Sequence, residues 1–120
     1  MLKALAVLLG LAFISFGILG FLPEFTTNNK LFGLFAVNAM HNIVHISTGV
    51  IALLCGFSSR NAAKGFFIIF GLVYAAVAAL GFYQGEGVLL NLIAINNTDN
   101  WLHASIAVVC LYFGIFYKNS

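Results

Sequence analysis

The chain carries three histidines, His41, His45 and His103, within two short polar stretches. These read Asn38-Ala39-Met40-His41-Asn42-Ile43-Val44-His45 and Asn96-Asn97-Thr98-Asp99-Asn100-Trp101-Leu102-His103. On a helix, His41 and His45 stack on one face, one turn apart, and so do Asp99 and His103. If the two faces meet, three imidazoles and one carboxylate converge. His41, His45, Asp99 and His103 then form a ligand set for zinc or copper, which accept nitrogen and oxygen donors. The deeper pair, His45 and His103, could instead supply the axial ligands of a haem. Gly49 and Ala107 follow one turn deeper, leaving room for a ligand or letting the helices approach.

The same residues also have a purely structural reading. Asn38 and Asn96 suit the N-cap position, where a side-chain oxygen accepts from the first amides of a helix. Asp99 in a first turn is favoured by the helix dipole. On this reading His41 and Asp99 form a hydrogen-bonded pair, while His45 and His103 each bond a backbone carbonyl or the amide of Asn42 or Asn100. No Ser-His-Asp order, Gly-rich phosphate loop or Cys-x-x-Cys pair is present, so a standard enzyme motif is absent. Cys55 and Cys110 lie inside apolar runs, where free cysteine packs as a small hydrophobe.

The elements that position these residues follow from composition. Of 120 residues, 62% are hydrophobic and 7% charged, with mean hydropathy +1.08. A water-soluble domain carries roughly 25% charged residues. So few charges cannot coat a globule, but they can coat the two ends of a bundle whose sides face lipid. The basic residues are scattered singly, which excludes a nucleic-acid patch. Spans of about 20 apolar residues are needed to cross a bilayer. Four stretches meet or approach that length, at about residues 2–22, 40–57, 62–82 and 100–117. The first is too long for a signal-peptide core and lacks a small-x-small cleavage site before Pro23.

Lys3, Arg60, Lys64 and Lys118 fall on one side of the bilayer and Lys30 on the other, with Glu24, Glu86 and Asp99. The positive-inside rule then makes both termini cytoplasmic, in a cell membrane. The Asn96-Asn97-Thr98 sequon abuts the bilayer and carries no weight there.

Two halves of the chain match. Lys3, Gly10, Leu11, Leu19, Gly20 and Phe21 fall on Lys64, Gly71, Leu72, Leu80, Gly81 and Phe82, with Phe13 on Tyr74. At a second fixed offset, Asn38, Asn42, His45, Ser47 and Gly56 fall on Asn96, Asn100, His103, Ser105 and Gly114, and His41 falls on Asp99. One transmembrane domain over residues 1–120 is expected, built from a hairpin repeat at 1–60 and a second at 61–120. With two spans each, both halves insert the same way up, giving a pseudo-two-fold axis along the membrane normal. The fold class expected is all-α, a transmembrane four-helix bundle. Close-approach stripes of small residues are expected at Gly71, Ala75 and Ala79, at Thr48, Ala52 and Gly56, and at Ala6, Gly10, Gly17 and Gly20.

The pairing of His-Asn-Ile-Val-His with Asp-Asn-Trp-Leu-His resembles the domain of unknown function 4383 family, small four-span membrane proteins found mainly in bacteria. The resemblance extends to Gly17, Gly20 and Phe21 and to Leu34-Phe35-Ala36-Val37-Asn38. It implies four transmembrane helices and assigns no activity. Three functional readings follow. The first is a noncatalytic membrane protein without cofactor, which acts in the lipid bilayer by helix packing with itself or a membrane-protein partner. The second is a metal- or haem-binding protein using the His/Asp cluster, and the third a small channel or carrier.

Overall fold

The computed structural model describes residues 1–117, so Lys118 lies outside the described residues. Four helices account for most of the chain: α1 (Leu2–Phe21), α2 (Ala39–Ser58), α3 (Arg60–Gln84) and α4 (Asn97–Leu111), the last continued by a π-helical turn at Tyr112–Phe116. Each is long and apolar enough to cross a membrane, α4 together with its π turn. A helix of 20 residues spans about 30 Å, the thickness of the hydrocarbon core. Leu8, Leu54, Leu72 and Val108 are all well over half exposed on the outer faces, as lipid solvation requires and water would penalise. The chain is an all-α, multi-pass membrane protein.

The spans start and stop close to their sequence-derived limits, with two extensions. Ser59 caps α3 by accepting from Ala62 N at 3.0 Å, which pulls Arg60 and Asn61 into the helix. Asn96 caps α4, so the polar run Asn97–Asp99 forms its first turn rather than a loop.

Within each half the helices meet through glycine. A Cβ on Gly10 would stand 2.8 Å from Gly49 O, and one on Gly49 would stand 2.6 Å from Gly10 O. The α1 and α2 backbones therefore touch, the close approach by which helices associate in lipid. The stripes at Thr48, Ala52 and Gly56 and at Ala6, Gly10 and Gly17 are buried, while Gly20, the fourth member expected in α1, is half-buried against Asn42. The α3 stripe is a correction: Gly71 is buried, but Ala79 faces outward and Ala78 takes the inner position. Tyr74 and Gly81 sit on that same inner face, so its register follows their packing. Near the ends that carry the termini, Leu2, Ala6, Ala52, Ala63, Phe66, Phe67 and Cys110 form an apolar core.

The connections at the other end are more ordered than composition suggests. The first holds a 3-10 turn at Pro23–Phe25 and then β1 (Thr26–Thr27), β2 (Lys30–Leu31) and β3 (Phe35–Ala36) in one antiparallel sheet. The second is a hairpin of β4 (Gly87–Leu89) and β5 (Ile93–Ile95). Their tight turns place Asn28 and Asn29, Phe32 and Gly33, and Leu90 and Asn91 in the left-handed region. Leu34 N donates to Leu31 O and Leu92 N to Leu89 O, each at 3.0 Å, closing turns with positive φ at both central residues, the hairpin-forming kind. Leu31, Leu89 and Ile95 from these hairpins are at most 3% exposed. β3 and β5 pack on the ends of α2 and α4 that carry the histidines.

Candidate metal centre

Both histidine-bearing helices begin in the same way. Asn38 Oδ1 accepts from His41 N at 2.9 Å, and Asn96 Oδ1 accepts from Asp99 N at 2.9 Å. Each asparagine then uses its amide to hold the opposite connection. Asn38 Nδ2 donates to Leu92 O at 3.1 Å, and Asn96 Nδ2 donates to Leu34 O at 2.8 Å. The caps thus fix where each helix starts and lock it to the other half's hairpin. One turn further in, the amides of Asn42 and Asn100 lie directly against Gly20 and Gly81, where any Cβ would collide with them.

Within this frame His41, His45 and His103 converge. Ring centroids are 4.6 Å apart for His41–His45, 5.4 Å for His41–His103 and 6.0 Å for His45–His103. One nitrogen from each ring lies within 4.8 Å of the other two. Three nitrogens bound at about 2.1 Å to one ion in tetrahedral directions are about 3.4 Å apart, so a contraction of about an ångström or less per ring closes the site. All three rings are buried, none more than 6% exposed.

His41 Nδ1 lies 2.7 Å from Ala94 O. A carbonyl only accepts, so Nδ1 carries the proton, and the neutral ring presents the Nε2 lone pair inward. That is the arrangement by which a backbone carbonyl orients a metal-binding imidazole. His41 Nε2, His45 Nε2 and both ring nitrogens of His103 have no hydrogen-bond partner among the described residues. A buried polar atom left unpaired costs roughly 1–3 kcal/mol. Four such nitrogens in one place are unusual in a folded chain.

Asp99 is where the structure departs from the expected ligand set. It is fully buried, but its Oδ2 accepts from Asn96 N at 3.0 Å and closes a capping box. Among the described residues the three histidines converge on one point and its carboxylate is not with them, although its Oδ1 has no hydrogen-bond partner there. The expected His41–Asp99 bond is absent because Ala94 O takes the His41 proton. Nor do the Asn42 and Asn100 amides satisfy His45 and His103, since their Oδ1 atoms are turned onto the glycines and are themselves unpartnered.

Two residues join the site that motif reasoning passed over. Tyr74 stacks beside His103 at 5.5 Å, and its hydroxyl lies 3.1 Å from Thr48 Oγ1. Thr48 spends its one proton on Val44 O at 2.8 Å, so Tyr74 is the donor to Thr48. A lone phenol oxygen in the middle of an apolar span was the available signal. On the opposite side, Phe13 meets His45 edge-on at 5.7 Å. Tyr74, Thr48 and the three histidines line a cleft of about 90 Å³ between α2 and α3. A second, of about 110 Å³, lies between α1 and α4 against His45.

The chain belongs to the family described as domain of unknown function (DUF4383), whose pattern matches residues 3–116. Among curated proteins and solved structures, none matches it significantly.

Proposed function

We propose that this member of the family is a cell-membrane protein that holds one transition-metal ion, zinc or copper, on His41, His45 and His103. The observation that carries the reading is the group of three buried imidazoles whose inward nitrogens have no protein partner. A purely structural trio would be expected to bond carbonyls or amides, as His41 does through its other nitrogen. An ion accepts all three lone pairs at once and removes the penalty of leaving them buried and unpaired. Imidazole nitrogens suit zinc and copper alike.

A single ion fits the space better than a haem. The two clefts, about 90 and 110 Å³, fall well below the roughly 300–1,000 Å³ of pockets that take cofactor-sized ligands. Phe13 and Tyr74 also pack on the two rings that would have to flank a porphyrin.

The reciprocal Asn38 and Asn96 bonds and the matched Gly20–Asn42 and Gly81–Asn100 contacts support two hairpin repeats about a pseudo-two-fold axis. The placement of Lys3, Arg60 and Lys64 supports cytoplasmic termini, with the metal centre beneath the outer leaflet's hairpins.

The test is purification in mild detergent without chelator, followed by metal analysis. About one zinc or copper per chain is expected, lost on His45→Ala or His103→Ala and retained on Asp99→Asn. Metal-free protein that also fails to take up either ion on titration overturns the proposal.

A further inference from the structure

The centre is closed toward water and open toward lipid. On the aqueous side β3 and β5 pack on the starts of α2 and α4, Ile93 lines the histidine cleft, and the His41 ring is tied to the hairpin at Ala94. On the membrane side there are two clefts, one in each interface between the halves. Ala12, Phe13 and Ile106 line the one between α1 and α4, which ends on His45. Val44, Val73 and Val77 line the one between α2 and α3, which ends on all three histidines. Ala12 and Val73 occupy matching positions at the lipid-facing mouths, and both are exposed.

No charged side chain lines either cleft, so an ion or zwitterion would shed its hydration with no opposite charge in return. Volumes of about 110 and 90 Å³ correspond to roughly three to four waters at about 30 Å³ each. Three protein ligands also leave an ion with an open coordination position.

We infer that the metal centre, in a copper(I) form, takes a small, uncharged, lipid-soluble molecule, of the diatomic-gas class, that arrives laterally from the bilayer through these two clefts and binds the ion's open position. The inference rests on the metal reading. The step is coordination alone: a lone pair of the ligand is donated to the metal, with no bond broken and no electron transferred.

The experiment uses the full chain in lipid nanodiscs, loaded anaerobically with Cu(I), with carbon monoxide as the probe. Infrared spectroscopy reports a copper-bound C–O stretch, and flash photolysis reports rebinding. The double variant Ala12→Phe/Val73→Phe places a ring in both mouths. It is expected to keep its copper and slow rebinding at least tenfold, whereas Leu31→Ala in the aqueous cover changes the rate by less than twofold. Should the double variant fail to accumulate, Ile106→Phe closes the α1–α4 cleft alone, and about a twofold slowing is expected. Copper without a carbonyl band, or rebinding unaffected by the mouth variants, overturns lateral ligand access and leaves the metal centre standing. Failure to load copper at all overturns the inference, and failure to take up zinc as well overturns the metal centre with it.

Discussion

Replacing His103 by Leu should stabilise the metal-free protein and destabilise the metal-loaded one. Both ring nitrogens of His103 are buried without a partner, and the side chain is 2% exposed. Leu has similar bulk and no polar atoms. Removing an unsatisfied buried polar group recovers roughly 1–3 kcal/mol, and a central value of about 2 corresponds to roughly 8 °C in Tm for a chain of this size. With metal the balance changes sides. Wild type gains about 2.7 kcal/mol at a free-metal level 100 times Kd and about 4.1 at 1,000 times. The variant, left with two imidazoles, gains little. The order of stabilities should therefore invert between chelator and saturating zinc, read as Tm in one detergent by thermal-shift fluorescence. A variant already 2 kcal/mol less stable in chelator would mean that His103 has a structural partner. A wild-type Tm indifferent to metal would refute the reasoning from the other direction.

Asn96→Ala removes the acceptor for Asp99 N and the donor to Leu34 O. It should cost about 2 kcal/mol, one for the cap and one for the tie between halves, measured by denaturation in mixed micelles. Gly81→Ala drives a methyl into the Asn100 amide, whereas a Cβ at Gly65 meets nothing within 4 Å. The first should lower Tm, and the second should raise it by the helix-propensity gain of up to about 1 kcal/mol. Cysteines introduced at Lys30 and Glu86 should react with an impermeant maleimide on intact cells and one at Arg60 should not; the opposite pattern would invert the membrane orientation.

Much of this arrangement is legible in the sequence, for identifiable reasons. Membrane spans show because lipid demands long uncharged runs, and the Asn38 and Asn96 caps show because few side chains can satisfy a helix start. The convergence of His41, His45 and His103 follows from one-turn spacing on one helix and matched placement on another. Asp99 misleads for the same reason that it is visible. It matches His41 in position, yet a carboxylate at the third residue of a helix has the N-cap amide within reach and bonds it.

The hairpins are hidden because Phe32 and Leu90 occupy left-handed backbone at φ 55° and 52°, a conformation that costs such residues roughly 1–2 kcal/mol and that their identity does not announce. Asn28-Asn29 carries a turn signature at both central positions, whereas Gly33 and Asn91 supply one residue each. In α3, four neighbouring alanines (Ala75, Ala76, Ala78 and Ala79) offer more than one small-residue stripe, and the burial of Tyr74 and Gly81 selects Ala78 over Ala79. Tyr74 itself belongs to a run in which every neighbour is apolar, so periodicity counts it as packing although its ring lies beside His103 and its hydroxyl bonds Thr48.

X-ray absorption at the zinc or copper edge of the natively purified protein addresses the central claim most directly. The account predicts a first shell of three nitrogens near 2.0 Å with the outer-shell scattering of imidazole rings, and no bound ion to measure in the His45→Ala protein. A shell of sulfur, or of oxygen without imidazole scattering, would place the ion elsewhere and contradict the assignment of the centre to His41, His45 and His103.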